Sequence, residues 1–375
     1  MKSSQSKTQL PLAALVVLLS SSIALLPFAA RAAQQQPQQT PAPPPHDMNH
    51  MQHNHGGFMQ EGMHHAVAKG IKLEQQVDAA THTITLREGP ITLPANTSHM
   101  NMPQPPDVFW TIPLDGFLLS YTPRLVDASG NAVPGIVLHH TAFWNTDRSD
   151  FLCPNKEEHI FGAGSELTNW IEIPGYGYRV QKGDRIRIET MVHNPTAASY
   201  DKVFLEVKIP YADSSSPTDK ATVKSVYPTW MDVQSCGGSS YDLKAGKNEN
   251  TGTVTVKYNG ILLGVGGHMH DYAKQIVLED TTRRETVATL DAKVDEKGQL
   301  LSMPVVTFFD RGGYKFVAGD ELRITATYDN TTGKALPAGA MGIVVGYFLP
   351  ADDSAMSALR RKPKPTTRQV AATHE

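Results

Sequence analysis

Cysteine is scarce: the 375-residue chain has two, Cys153 and Cys236. That count excludes a cysteine-built zinc finger. A basic excess is also missing, with a formal net charge of −3. Without residues 1–32, which carry Lys2, Lys7 and Arg31 and no acids, the balance is 31 − 37 = −6. Nucleic acid is therefore excluded as the main partner, because no basic stripe exists to meet phosphates. Beyond residue 32 no run of 18 apolar residues occurs, so no membrane association is expected once the N-terminal segment is cleaved. Long amphipathic helical patterns are absent. So are G-x-S-x-G, Walker, Rossmann and HExxH signatures, and no carboxylate pair reads as a glycosidase dyad.

The N-terminus supplies a basic start, the run LPLAALVVLLSSSIALLPFAA and then Ala30-Arg31-Ala32. This predicts a cleaved export signal over 1–32 and a periplasmic or secreted mature protein. In that setting a Cys153–Cys236 disulfide is the default expectation. Residues 33–67 are rich in Gln, Pro, His and Met and predict a disordered leader. Between His46 and His65 it holds six histidines and four methionines, side chains suited to Cu(I). A copper-capturing segment and a merely solvated tract are both consistent with it.

From about residue 68 the pattern is β. Short alternating runs such as Thr81–Leu86 and Val203–Ile209 are separated by Pro, Gly, Asn and Asp. An all-β sandwich class follows. GYRVQKGDRIRI at Gly177–Ile188 returns 136 residues later as GYKFVAGDELRI at Gly313–Ile324, each a strand, a Gly-Asp turn and a second strand. So long a period predicts two duplicated domains, over 68–212 and 222–352. The polar stretch 213–221 would be their linker and 353–375 a disordered tail. In the first copy Ile186, Ile188, Thr190 and Val192 share one face. Arg187, Glu189, Met191 and His193 share the other, so His193 is placed off the core face.

Eight histidines lie between the leader and the tail, and three groups stand out. His139 and His140 end an apolar strand. Neighbours on a regular strand point to opposite faces, so they share a ligand only if the strand bends; one buried and one wet histidine is the other reading. His193 forms the second group. His268 and His270, in Gly266-Gly267-His268-Met269-His270-Asp271, form the third, and their period-two spacing suits chelation from one face. The glycines before them permit either close backbone approach or a flexible turn. Asp271 either orients a ligand imidazole or caps a turn. His99, beside Met100 and Met102, reads as a loop residue with an accessory metal site as the alternative. His82 and His159 read as surface.

This order of a histidine pair, a Val-His-Asn histidine, an HxH pair and a methionine in a late apolar strand resembles the copper- and ascorbate-dependent monooxygenases that hydroxylate peptidylglycine and dopamine. The resemblance runs over roughly residues 90–350 and implies two jelly-roll domains, each with one copper, facing each other across a solvent-filled cleft. It implies His139, His140 and His193 as ligands of an electron-transfer copper. For a catalytic copper it implies His268, His270 and Met341. Two copper ions, O2, an external reductant such as ascorbate and a small or extended organic substrate go with it. The chain departs from the family at Gly266, Ile343 and Val345, where substrate-contacting arginine, asparagine and tyrosine would stand, so peptidylglycine is not the expected substrate. The resulting expectation is an exported, bacterial-type copper monooxygenase acting on a C–H bond. The competing expectation is a non-catalytic copper-binding or buffering protein.

Overall fold

The computed structural model describes residues 66–164, 170 and 172–361. The export signal, the His/Met-rich leader through His65 and the end of the tail lie outside the described residues. The rest is an all-β sandwich fold. In the first lobe a four-stranded sheet runs in the order Val108–Thr111, Arg185–Val192, Leu138–Ser149, Glu157–Gly164. It packs against a sheet containing Thr83–Leu93 and Tyr200–Asp213, and Ile84, Leu86, Phe143, Ile186 and Ile188 are fully or almost fully buried between them. In the second lobe Gly246–Thr255, Glu321–Asn330, Ala273–Asp280 and Glu285–Asp291 form the matching four-stranded sheet. Its partner contains Lys224–Asp232, Ile343–Pro350 and Gly260–His268, with Leu262, Ile276, Leu278 and Ile324 in the core.

One sheet runs through both lobes. Lys224–Val226 pairs in parallel with Tyr176–Tyr178, joining the larger sheets into a single 11-stranded sheet. The stretch expected to be only a linker carries a short helix, Pro217–Thr222, capped by the Ser216 side chain. Within the stretch expected to be a disordered tail, Asp353–Leu359 forms a 3-10 turn that buries Met356 and Leu359 in the second core. Arg360 then reaches back to Asp184, at 2.8 and 3.1 Å. Two apolar anchors and a bidentate ion pair offset the ordering cost that the local composition alone would not.

Burial along the strands shows where the lobes meet. Glu321–Asn330 alternates, with Leu322, Ile324, Ala326 and Tyr328 inward. Arg185–Val192 is buried from Ile186 onward on both faces. The face carrying Arg187, Glu189 and Met191 is indeed opposite the core, yet the lobes are in contact there and solvent does not separate them. Trp144 of the first lobe lies 5.5 Å from Trp230 of the second, and the ring of His159 sits 4.2 Å from Trp230. Arg187 is held there by Glu157, Asp107 and Glu189. The Cys153–Cys236 disulfide, expected from the sequence, forms across 83 residues and ties the lobes together.

Candidate metal centre

A β-bulge decides the geometry of the adjacent histidines. Leu138 pairs with Val192 but His140 already pairs with Met191, so His139 is an extra residue in its strand. Such a bulge re-aims side chains that a regular strand would send to opposite faces. The rings of His139 and His140 consequently stand 5.0 Å apart, with His140 buried and His139 half-buried.

His193 and His99 complete the first-lobe group. The His193 backbone donates to the Val137 carbonyl at 3.1 Å, and its Nε2 lies 2.5 Å from the Ile136 carbonyl. With Nε2–H donating there, Nδ1 is left as the lone-pair nitrogen, the arrangement that metal-ligating histidines use. His99 opens a short 3-10 turn, His99–Asn101. Gln104, buried, clamps that turn: its amide donates to the carbonyls of His99 and Val192, and its oxygen accepts from Val192 N. The His99 ring stacks on His139 at 4.7 Å, and His193 stands 5.1 Å from His139. Ligand nitrogens of His99, His139 and His193 all lie within 4.8 Å of one another. The three-residue group is thus His99, His139 and His193, whereas the resemblance pointed to His140 as the third member. His140 stands 5.0 Å from His139, ring to ring, but outside that group.

In the second lobe His268 ends its strand, opposite Ile343, and His270 follows two residues later. Their rings are 5.5 Å apart and nearly perpendicular. Met341, two residues before Ile343 on the neighbouring strand, is joined to His270 through one phenol. The Tyr328 hydroxyl accepts from His270 N at 3.0 Å and from Met341 N at 3.2 Å, and donates to the Met341 carbonyl. His270 lies 5.9 Å from His139, ring to ring. Histidines from both lobes therefore form one cluster, in place of two sites facing each other across solvent.

Burial keeps His139, His140 and His270 neutral at pH 7. It holds His139 and His140 well below the ordinary histidine value; repulsion from His140 adds to this at His139 and repulsion from His268 at His140, with His270 acting on both. Burial brings His270 down to about 3, with His268 adding to the effect. His193 is also lowered by burial, against opposing pulls from the Ile136 carbonyl and Asp271. Neutral imidazoles are the form that binds a metal. His270 supplies the direct test of fit: its ring is hydrogen-bonded to the Gly339 backbone, and its buried Nε2 has no hydrogen-bond partner among the described residues. An orphaned buried polar atom costs about 1–3 kcal/mol, which a metal would relieve. A cluster of neutral imidazoles is a borderline donor set suited to copper.

Other residues resolve more simply. His159 is buried, not on the surface; burial lowers it to about 3, and it lies between Trp144 and Trp230. His82 is exposed, as expected, and stacked on Tyr211 at 5.2 Å. Asp271 accepts from Leu300 N at 2.9 Å and so organises its turn. Gly266 and Gly267 lie within a paired strand, so a flexible turn is ruled out. A Cβ on Gly267 would stand 2.7 Å from Met303, as close packing requires. Sequence reasoning gave too little weight to His99 and missed His159. The methionine-flanked setting of His99 was the available signal; for His159 there was none.

No family model matches the chain. It is 26% identical over 220 residues to "Probable copper-dependent oxygenase M1" of Phoma sp. (strain ATCC 20986 / MF5453), covering 54% of this chain and 53% of that protein. It is 25% identical over 244 residues to "Probable copper-dependent oxygenase clz3" of Cochliobolus lunatus, covering 59% and 74%. The chain thus spans about half the length of the first of these relatives. Among solved structures, a chain from the Sulfolobus turreted icosahedral virus aligns over 77% of this chain and 95% of its own at 8% identity, with a TM-score of 0.33. The bacteriophage PM2 capsid protein P2 aligns over 70% and 97% at 9% identity, with a TM-score of 0.30.

Proposed function

We propose that this chain is a copper-dependent oxygenase that inserts one oxygen atom of O2 into a C–H bond of an organic substrate. The second oxygen atom leaves as water, with two electrons from an external reductant of the ascorbate class and two protons. The observation that carries the reading is the convergence of six histidines, from both lobes, in one cluster, with the Tyr328 hydroxyl linking the backbones of His270 and Met341. The two copper-dependent oxygenases with which the chain shares about a quarter of its aligned residues support it.

His99, His139 and His193 would hold one copper, and His268, His270 and Met341 a second. Copper at these positions supplies one-electron redox chemistry. The protein's own part is to hold the ligands ready. The Ile136 carbonyl fixes the His193 tautomer, Gln104 pins His99 and Tyr328 locks His270 to Met341. Trp144, His159 and Trp230 close the adjoining seam against water, which strengthens electrostatic interactions inside it. We also place the protein outside the reducing cytoplasm, a reading that the Cys153–Cys236 disulfide supports.

Copper analysis of the full chain, with oxygen uptake in the presence of ascorbate, tests this reading. Copper bound in both sites, with uptake abolished by His268→Ala and Met341→Ala, is the expected outcome. Copper bound without any uptake across a panel of organic compounds would favour a copper-binding protein. No copper bound by residues beyond the leader would overturn both.

A further inference from the structure

The seam holds an apolar groove that the histidine cluster does not use. Trp230, Val345, Gly266 and Val305 lie side by side across the second-lobe sheet. Gly266 and His268 are two residues apart and share a face, which sets them about 7 Å apart along the strand. Trp170 of the first lobe forms the facing wall, its ring edge-on to Tyr347 at 5.0 Å. Between them is a cavity of about 190 Å³. Its rim includes Val305 and Phe309, which are 48% and 39% exposed, unusual for large apolar side chains.

From this geometry we infer that the groove is the substrate site and that it takes a neutral, largely apolar organic molecule, a flat ring or a chain, with the end to be oxidised directed at His268. The inference rests on the oxygenase reading. The floor lacks side-chain atoms at Gly264, Gly266 and Gly346, so a flat molecule can lie against the backbone. The indole N–H of Trp170 is already committed to the Gly162 carbonyl at 2.5 Å, leaving the ring to offer apolar surface. Among the described residues lining the groove Glu172 is the one that carries a charge, and none of them is a cation that could pair with an anionic ligand. A charged substrate would lose hydration without compensation. Apolar walls continuous with a polar catalytic end are the usual form of a small-molecule site.

The full-length protein can be titrated with 2-naphthalenemethanol, 2-naphthoate and 2-naphthylmethylammonium, following quenching of tryptophan fluorescence, while copper content is measured in parallel. The neutral alcohol should bind at least about tenfold more tightly than either ion. Gly266→Leu should abolish that binding and leave the copper content unchanged, because a Cβ there meets Val305 and Val345 only at 3.6 and 4.0 Å. Val305→Asp, on the exposed rim, should weaken the alcohol by about tenfold and serves as the second variant should Gly266→Leu misfold. Equal affinity for alcohol and ions, or alcohol binding unchanged in the folded variants, would overturn the inference. A wild-type protein that takes no copper but keeps the neutral preference would remove the oxygenase reading and leave the groove standing.

Discussion

The two lobes repeat the same corner with different cargo. In the first, Asn194 donates to the Leu93 and Ala198 carbonyls and accepts from Thr196 N and Oγ1. In the second, Asn330 donates to the Leu243 and Lys334 carbonyls and accepts from Thr332 N and Oγ1. Asp184 accepts from Gln181 N, as Asp320 does from Val317 N. Even the bulge recurs: Ala273 pairs with Tyr328 and Gln275 with Thr327, leaving Lys274 as the extra residue where the first lobe has His139. Both lobes therefore share the bend, and only the first places an imidazole on it. At the His193 position the second lobe has Asp329; its own histidines precede its bulge. Structure was conserved between the halves while chemistry was divided.

The largest break in this comparison should come from the link between the halves. Replacing Cys153 and Cys236 by serine should cost about 4–5 kcal/mol in the chain-entropy account of a loop this long, read from denaturant unfolding. Next comes a polar pair confined to the first lobe. Glu88 accepts from Thr190 at 2.7 Å, where the second lobe has Ala326. Burial raises Glu88 to about 7. A raised carboxyl means that the folded state holds its proton longer, so stability falls as pH rises from about 4.5 to 7 and stays reduced above. Glu88→Gln should remove that slope, worth about 3 kcal/mol between pH 4.5 and 8, in unfolding measured across pH.

Giving the first lobe the second lobe's residue sharpens the contrast further. His193→Asp should preserve the fold yet weaken first-site copper about 100-fold, as should His99→Ala, measured by competition with a chelator. Equal losses in His140→Ala would instead restore the ligand set that the resemblance implied. Smallest are the corners: Asn194→Ala and Asn330→Ala should each cost about 2 kcal/mol. Unequal costs would show that the two corners are not energetic equivalents.

Much of this was legible in residues alone. Alternation gave the β class, and the Gly-Tyr…Gly-Asp…Arg-Ile repeat marked two equivalent strand–turn–strand units, observed at Tyr176–Val192 and Tyr314–Asn330, with the two strands of each unit in different sheets. What could not be read was register and cover. A bulge at His139 is a one-residue mismatch between strand residues more than fifty positions apart, and no local pattern encodes it. His159 has the sequence surroundings of a surface strand and is buried only because Trp230 closes over it. His99 is in place because Gln104 reaches both its turn and Val192. Likewise the ordered end at Asp353–Arg361 depends on a core and an aspartate supplied by distant segments.

The parallel join between Lys224–Val226 and Tyr176–Tyr178 has a mechanical consequence. Halves stitched through one continuous sheet cannot swing apart like jaws without stripping backbone amides of their partners. On the proposed oxygenase reading, turnover would proceed on a rigid body, with molecules entering and leaving sideways along a fixed track.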